Sequence, residues 1–138
     1  MIHLIAAIGL HGQIGLNGKV PWHGLPQYAE QTRLDLAEFS RLTGGGTMVM
    51  GRVTAGSLPL TLLRSGNLEG NRRLAVWHRN DDPAQFLSGL VRPIWICGGQ
   101  KVYEIFIPYV DWHHISVIPY DGPADRFFPP ILPNWKTT

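Results

Sequence analysis

Two short apolar runs, Met48-Val49-Met50 and Ile94-Trp95-Ile96-Cys97, each end on glycine and turn directly into a helical pattern. The turns read Gly51-Arg52-Val53-Thr54 and Gly98-Gly99-Gln100-Lys101-Val102-Tyr103. At a strand-to-helix glycine, unpaired backbone N–H groups and the positive end of the helix dipole face one point, with no Cβ to hold a ligand away. Such a turn suits phosphate, and Arg52 and Lys101 stand where they add positive charge. Either turn alone is an ordinary chain reversal. Two of them, each with a cation, point to an anionic ligand in a crevice where a parallel sheet reverses its strand order.

Apolar runs rich in β-branched residues recur at Ile2–Ile8, Thr47–Met50, Leu74–Trp77, Ile94–Cys97 and His113–Ile118. Most lack strict alternation, which predicts strands buried on both faces in a largely parallel sheet covered by helices. Helices are predicted over Leu34–Leu42, Thr54–Leu58, Asp82–Leu90 with Pro83 in the first turn, and Gln100–Ile107, ending at Pro108. With 138 residues and 44% apolar content there is material for one core, so residues 1–138 are expected to form a single α/β domain.

A formal net charge of +2 with scattered basic residues gives no reason to expect a nucleic-acid partner. Cys97 is the only cysteine, which excludes an intramolecular disulfide and suits a reducing, cytoplasmic setting. The apolar start Met1 to Leu10 lacks a basic leader and is too short to span a bilayer, so no membrane contact is expected. The Gly- and Pro-rich stretches Gly9–Gly24 and Pro119–Pro133 are long for loops, and the first, with Gly12, Gly15 and Gly18, is expected to close over a ligand as a lid.

Asp35 lies four residues before Phe39 on one helical face, beside Leu36. It is either a partly buried acid facing a cleft or an exposed carboxylate in the first turns of a helix, and periodicity by itself favours the second. His113 and His114 are adjacent on a predicted strand and so face opposite ways, which makes a shared metal site there unexpected.

These segments together resemble dihydrofolate reductase from the first residue to about Trp135. Leu4-Ile5-Ala6-Ala7, then Ile14-Gly15, Gly18 and Pro21-Trp22, resemble that family's first strand and mobile active-site loop. Leu25-Pro26, Asp35-Leu36-Ala37-Glu38-Phe39, Met50-Gly51-Arg52-Val53-Thr54, Gly98-Gly99-Gln100-Lys101-Val102-Tyr103 and Phe128-Pro129 follow in the family's order. The resemblance implies a mostly parallel sheet flanked by helices, and hydride transfer from NADPH to 7,8-dihydrofolate, giving tetrahydrofolate. It implies that Asp35 anchors the pterin and assists its protonation, supported by Ser116 where the family more often has Thr. Ile5, Leu36, Phe39, Leu58, Cys97 and Tyr103 would line the substrate pocket.

For the cofactor, the resemblance implies contacts from Ala7, Ile14, Gly15, Gly18, Val20 and Trp22 around the nicotinamide half. Arg52, Val53 and Thr54 would meet the phosphates from one helix start, and Gly98, Gly99, Gln100, Lys101 and Val102 from the other. Trp77, His78 and Arg79 follow the third sheet strand, and Arg52, His78, Arg79 and Lys101 favour NADPH over NADH.

Three departures qualify the match. The segment Gly24 to Arg33 is longer than usual and either loops out or extends the helix, which leaves Glu30 or Glu38 as a fallback acid. Asn71 stands where the family clamps the substrate α-carboxylate with arginine, so Arg72 is expected to substitute after a small shift. The family's C-terminal antiparallel strands are expected to be missing after Thr138, which would leave His113–Ile118 as an exposed edge and invite a homodimer. A related NADPH-dependent pyrimidine reductase, or a non-catalytic assembly protein that keeps the fold, are the alternatives.

Overall fold

The computed structural model describes residues 1–56 and 72–130, so Leu58, Asn71 and Trp135 lie outside the described residues. In chain order the elements are β1 (Ile2–Ile8), β2 (Gln13–Gly15), α1 (Ala29–Thr43), β3 (Thr47–Met50), α2 (Arg52–Gly56) and β4 (Arg73–Val76). They continue with α3 (Pro83–Ser88), β5 (Ile94–Ile96), α4 (Gln100–Phe106), β6 (Trp112–Val117) and β7 (Arg126–Phe127). Short 3-10 turns at Pro26–Tyr28 and Ile107–Tyr109 lead into α1 and out of α4.

The main sheet has the order β4-β3-β5-β1-β6, with every neighbouring pair parallel. This is the expected α/β architecture. Hydrophobic cover explains the absence of alternation in the central strands: all four residues of β3 and all three of β5 are buried. β1 alternates between fully and partly buried positions, so one of its faces is less completely covered than the other.

The more closed face holds Leu4, Ile8, Val49, Ile94 and Ile96 against Leu87 of α3 and Val102, Tyr103 and Phe106 of α4, with Trp77 in the same core. Trp77 meets Phe86 and Phe106 edge-on at centroid distances of 5.2 and 5.0 Å. Opposite, α1 brings Phe39 down on Met48, Met50 and Cys97. A smaller cluster joins Trp22, Ile118 and Tyr120, with Ala7 and Tyr28 against it.

The Gly24 to Arg33 segment resolves in favour of the longer helix. α1 begins at Ala29 rather than Leu34, because the run from Ala29 to Arg41 has strong helix formers and no glycine or proline. In each of the ion pairs Glu30–Arg33 and Glu38–Arg41 the partners lie one turn apart along it. Its start is fixed by the Tyr28 hydroxyl, which donates to the Pro119 carbonyl at 3.1 Å. α3 begins as expected, with Asp82 Oδ1 accepting from Ala84 N at 3.0 Å and Pro83 in the first turn. α2 starts at Arg52, ahead of the predicted Thr54, and β5 stops at Ile96, one residue short of Cys97.

Candidate active site

β5 enters the sheet between β3 and β1, although β4 intervenes in sequence, so the two glycine-ended strands lie side by side. Cys97 N donates to the Val49 carbonyl and Gly51 N to the Gly98 carbonyl, both at 2.9 Å. The turns before α2 and α4 are therefore one composite surface. At its two adjacent glycines close contacts crowd any side chain: a Cβ on Gly98, whose φ is +109°, would stand 3.1 Å from the Tyr103 hydroxyl. A Cβ on Gly99 would stand 3.3 Å from Thr54 Oγ1. Arg52 and Lys101 are exposed beside these turns, and His78 and Arg79 are exposed just beyond β4.

Tyr103 fixes the centre of the site. Its hydroxyl donates to the Ile5 carbonyl at 2.8 Å, and its ring meets Phe128 at 4.9 Å. Burial pushes the phenol well above its ordinary range, so it stays a neutral donor. The Cys97 thiol is likewise pushed up by burial and is no nucleophile.

On the α1 side, register pairs Ile5 with His114 and Ala7 with Ser116, so these side chains share the sheet face that α1 covers. Asp35, one helical turn before Phe39, belongs to the stripe of α1 facing this surface. Gln31 Nε2 donates to its Oδ1 at 3.2 Å, while Oδ2 is buried with no hydrogen-bond partner among the described residues. Desolvation raises the Asp35 pKa, and the bond from Gln31 opposes this in part. A buried carboxylate oxygen without a donor is costly unless something else supplies one. Glu30 and Glu38, the fallback acids, are exposed and satisfied by Arg33 and Arg41.

Several expected contacts take other positions. Trp77 is 6% exposed and turned into the core, so it carries His78 and Arg79 rather than meeting a ligand. Val102 is also buried and can offer a ligand its backbone alone, while Val53 is exposed on α2. Trp22 is buried against Tyr120 at 5.8 Å and roots the end of the lid. Leu36 is 49% exposed, because the helical turn that points Asp35 and Phe39 inward carries it outward. Arg72 is 4% exposed and turned under α1, with Nη2 donating to the Ser40 carbonyl at 2.6 Å and Nε to Thr43 Oγ1 at 3.1 Å. Ser116 is exposed on β6, an outer strand of the sheet.

A parallel five-stranded sheet flanked by helices is the fold expected from the resemblance. The family model described as dihydrofolate reductase matches residues 1–138. The chain belongs to the dihydrofolate reductase family. It is 33% identical to dihydromethanopterin reductase of Methylorubrum extorquens over 94% of this chain and 90% of that protein. It is 35% identical to dihydrofolate reductase of Staphylococcus aureus over 98% of this chain and 82% of that protein. The figure for dihydrofolate reductase of Haemophilus influenzae is 29%, over 96% and 80% respectively. Oxidoreductase chemistry follows from the family.

Within this dihydrofolate reductase-family fold, the loop expected to act as a lid is built by strands too short to be legible as such. Asn17 and Gly18, at φ +53° and +81°, turn a tight hairpin in which Leu16 and Lys19 exchange backbone hydrogen bonds of 2.7 and 3.1 Å. Ile14 and Gly15 lie in β2, which pairs with β7, and Val20 is exposed at the lid's far end. Sequence reasoning missed Asp125, which latches this hairpin: its N–H donates to the Gly15 carbonyl at 2.9 Å and its Oδ2 accepts from Asn17 N at 3.0 Å. Its signal, one of two acids in the Pro-rich stretch before Phe128-Pro129, has meaning only once β2 and β7 are paired. Asp125→Ala is expected to speed amide exchange at Asn17 by about three- to tenfold, the loss of one exposed hydrogen bond. Unchanged exchange at Asn17 would show that the latch does not hold the lid.

Proposed function

We propose that the protein reduces the pterin ring of 7,8-dihydrofolate, giving tetrahydrofolate. The observation that carries this reading is the Asp35 carboxylate, whose Oδ2 is buried without a partner among the described residues. A pterin offers paired N–H groups, from its amino substituent and ring, that satisfy both carboxylate oxygens at once. NADPH, when bound, supplies the hydride. Its fit is supported by the composite turn of Gly51 and Gly98–Gly99, which keeps side chains away from a phosphate, and by exposed Arg52, Lys101, His78 and Arg79 around it.

On this reading Asp35 holds the pterin by its amino and ring N–H groups and, because desolvation raises its pKa, retains a proton to higher pH than an exposed aspartate does. Ser116, level with Ala7, lies on the face that the pterin would meet. Ile5 and Ala7 form the floor, Phe39 and Cys97 the apolar wall, and Tyr103 separates substrate from cofactor. The lid from Ile14 to Val20 excludes water from the reacting carbon.

A second reading concerns the tail of the substrate. Arg72, the arginine expected at a substrate α-carboxylate, is committed to Ser40 and Thr43. That favours a dihydropterin with a different tail, and the Methylorubrum relative is named for dihydromethanopterin. Both readings are tested by following NADPH oxidation with each dihydropterin in turn. The first expects kcat/KM for dihydrofolate at least equal to that for dihydromethanopterin. A preference of about tenfold or more for dihydromethanopterin, equivalent to 1.4 kcal/mol in the transition state, selects the second. No oxidation of NADPH with either removes the reductase assignment.

A further inference from the structure

We propose that Gln100 is a positioning residue that couples occupancy of the Gly98–Gly99 turn to the closed position of the lid. The proposal rests on the NADPH reading above. Gln100 opens α4 immediately after the two glycines, so its main chain belongs to the surface assigned to the cofactor phosphates. Its side chain leaves in another direction. Oε1 accepts from Phe127 N at 2.9 Å, and Nε2 donates to Glu104 Oε1 at 2.9 Å, one turn further along the helix. Both ends of the amide are used, which fixes the orientation of the side chain.

Phe127 lies in β7, the strand that holds the lid. It is paired with Gln13 of β2, its neighbour Arg126 is paired with Gly15, and Asp125 latches Asn17. Phe128 N donates to the Gly12 carbonyl at 2.8 Å, and the Phe128 ring packs on Tyr103 of α4. The segment Asp125 to Phe128 is therefore a strap with the lid on one side and α4 on the other. Two joints tie it to α4: the Phe128–Tyr103 ring contact, which tolerates sliding, and the directional bond to Gln100, which does not.

A ligand that orders the first turn of α4 consequently fixes the Gln100 backbone, and through Oε1 the height of β7 and of the lid paired to it. A side chain without an acceptor at this position leaves the strap in place but breaks the directional link. Gln100 thus affects the chemistry through the lid, and no contact between its amide and the reacting atoms is needed.

The test measures amide hydrogen exchange at Phe127, Asn17 and Lys19 in the full chain, with and without NADPH. Gln100→Ala, Gln100→Glu and Glu104→Ala are compared with the unaltered protein. In the cofactor-free protein, Gln100→Ala is expected to speed exchange at Phe127 by about fivefold, while Glu104→Ala, which keeps the acceptor, does not. Addition of NADPH is expected to slow exchange at Asn17 and Lys19 in the unaltered protein. Gln100→Ala should lose most of that slowing while still binding NADPH, and Gln100→Glu, which retains an acceptor oxygen, should restore part of it. Lid protection by NADPH that is equal in Gln100→Ala and the unaltered protein overturns the coupling. Failure of the unaltered protein to bind NADPH overturns the cofactor reading instead, and with it the coupling, whatever the behaviour of Phe127 in the free chain.

Discussion

Asp35→Asn is expected to lower kcat/KM with the preferred dihydropterin by about 10²–10⁴-fold, the usual contribution of a positioned acid, and at the same time to make the fold more stable at neutral pH. Both effects have one cause. Asp35 is placed on the inward stripe of α1, where Gln31 satisfies one oxygen and nothing among the described residues satisfies the other. On the proposed function a bound pterin completes the carboxylate. Asparagine keeps the size but presents an amide donor where the pterin also presents donors, so anchoring and protonation are lost together.

The pH dependence follows from the direction of the shift. Desolvation raises the folded pKa of Asp35 above its unfolded value, so the folded state binds the proton more tightly. The stability due to neutral Asp35 is complete below the unfolded pKa and is lost as pH rises through the folded one. Asparagine never ionises, so the stabilising effect of Asp35→Asn should vanish in acid and appear on the neutral side of the carboxylate range. Thermal melts of both proteins across pH check this. A variant less stable than the parent at neutral pH would show that the carboxylate is better satisfied than its surroundings indicate. Turnover of the unaltered enzyme should fall as pH rises, since the protonated acid is the form that assists the ring nitrogen.

Gly98→Ala is expected to be strongly damaging, at about 2–4 kcal/mol of stability from backbone strain and overpacking together. Gly98 has φ +109°, which L residues rarely adopt, and an added methyl would stand 3.1 Å from the Tyr103 hydroxyl and 3.2 Å from its ring. Neither neighbour can easily give way: the hydroxyl is bonded to the Ile5 carbonyl and the ring is packed on Phe128. Relief by displacing Tyr103 would also distort the turn that the proposed function assigns to NADPH, so on that reading NADPH affinity should fall with stability. A melting temperature unchanged by Gly98→Ala would contradict this account of the turn. Gly51→Ala, with Val102 Cγ2 at 3.5 Å from its added Cβ, meets ordinary contact and should be mild by comparison.

The sheet was legible in the sequence because its strands are apolar runs bounded by turn residues, and the glycine turns because a strand-to-helix glycine has a local signature. Long-range pairings were not. β2 and β7, of three and two residues, carry no period of their own and exist because Gly15 and Asp125 meet across more than a hundred residues of chain. Asp35 illustrates the limit most clearly. Helical spacing put it beside Phe39, but whether that stripe faced solvent or sheet depended on where Phe39 packed, and Met48, Met50 and Cys97 supply that answer. Arg72 shows the same limit by one position: the segment after Gly70 predicted a clamp, yet the buried Ser40 carbonyl and Thr43 hydroxyl compete for the guanidinium. Trp77 looked like part of the cofactor rim because it ends a strand, and its indole instead fills the core between Phe86 and Phe106.

The central claim is that Asp35 anchors and helps protonate a dihydropterin while NADPH reduces it. The most direct measurement is the fall in nicotinamide absorbance on mixing the purified protein with NADPH and dihydrofolate, then dihydromethanopterin, with Asp35→Asn run in parallel. Turnover of at least one dihydropterin, lost by about 10²-fold or more in Asp35→Asn, is the result expected for a positioned acid. Turnover that survives in Asp35→Asn, or none with either substrate in the unaltered protein, would contradict the account.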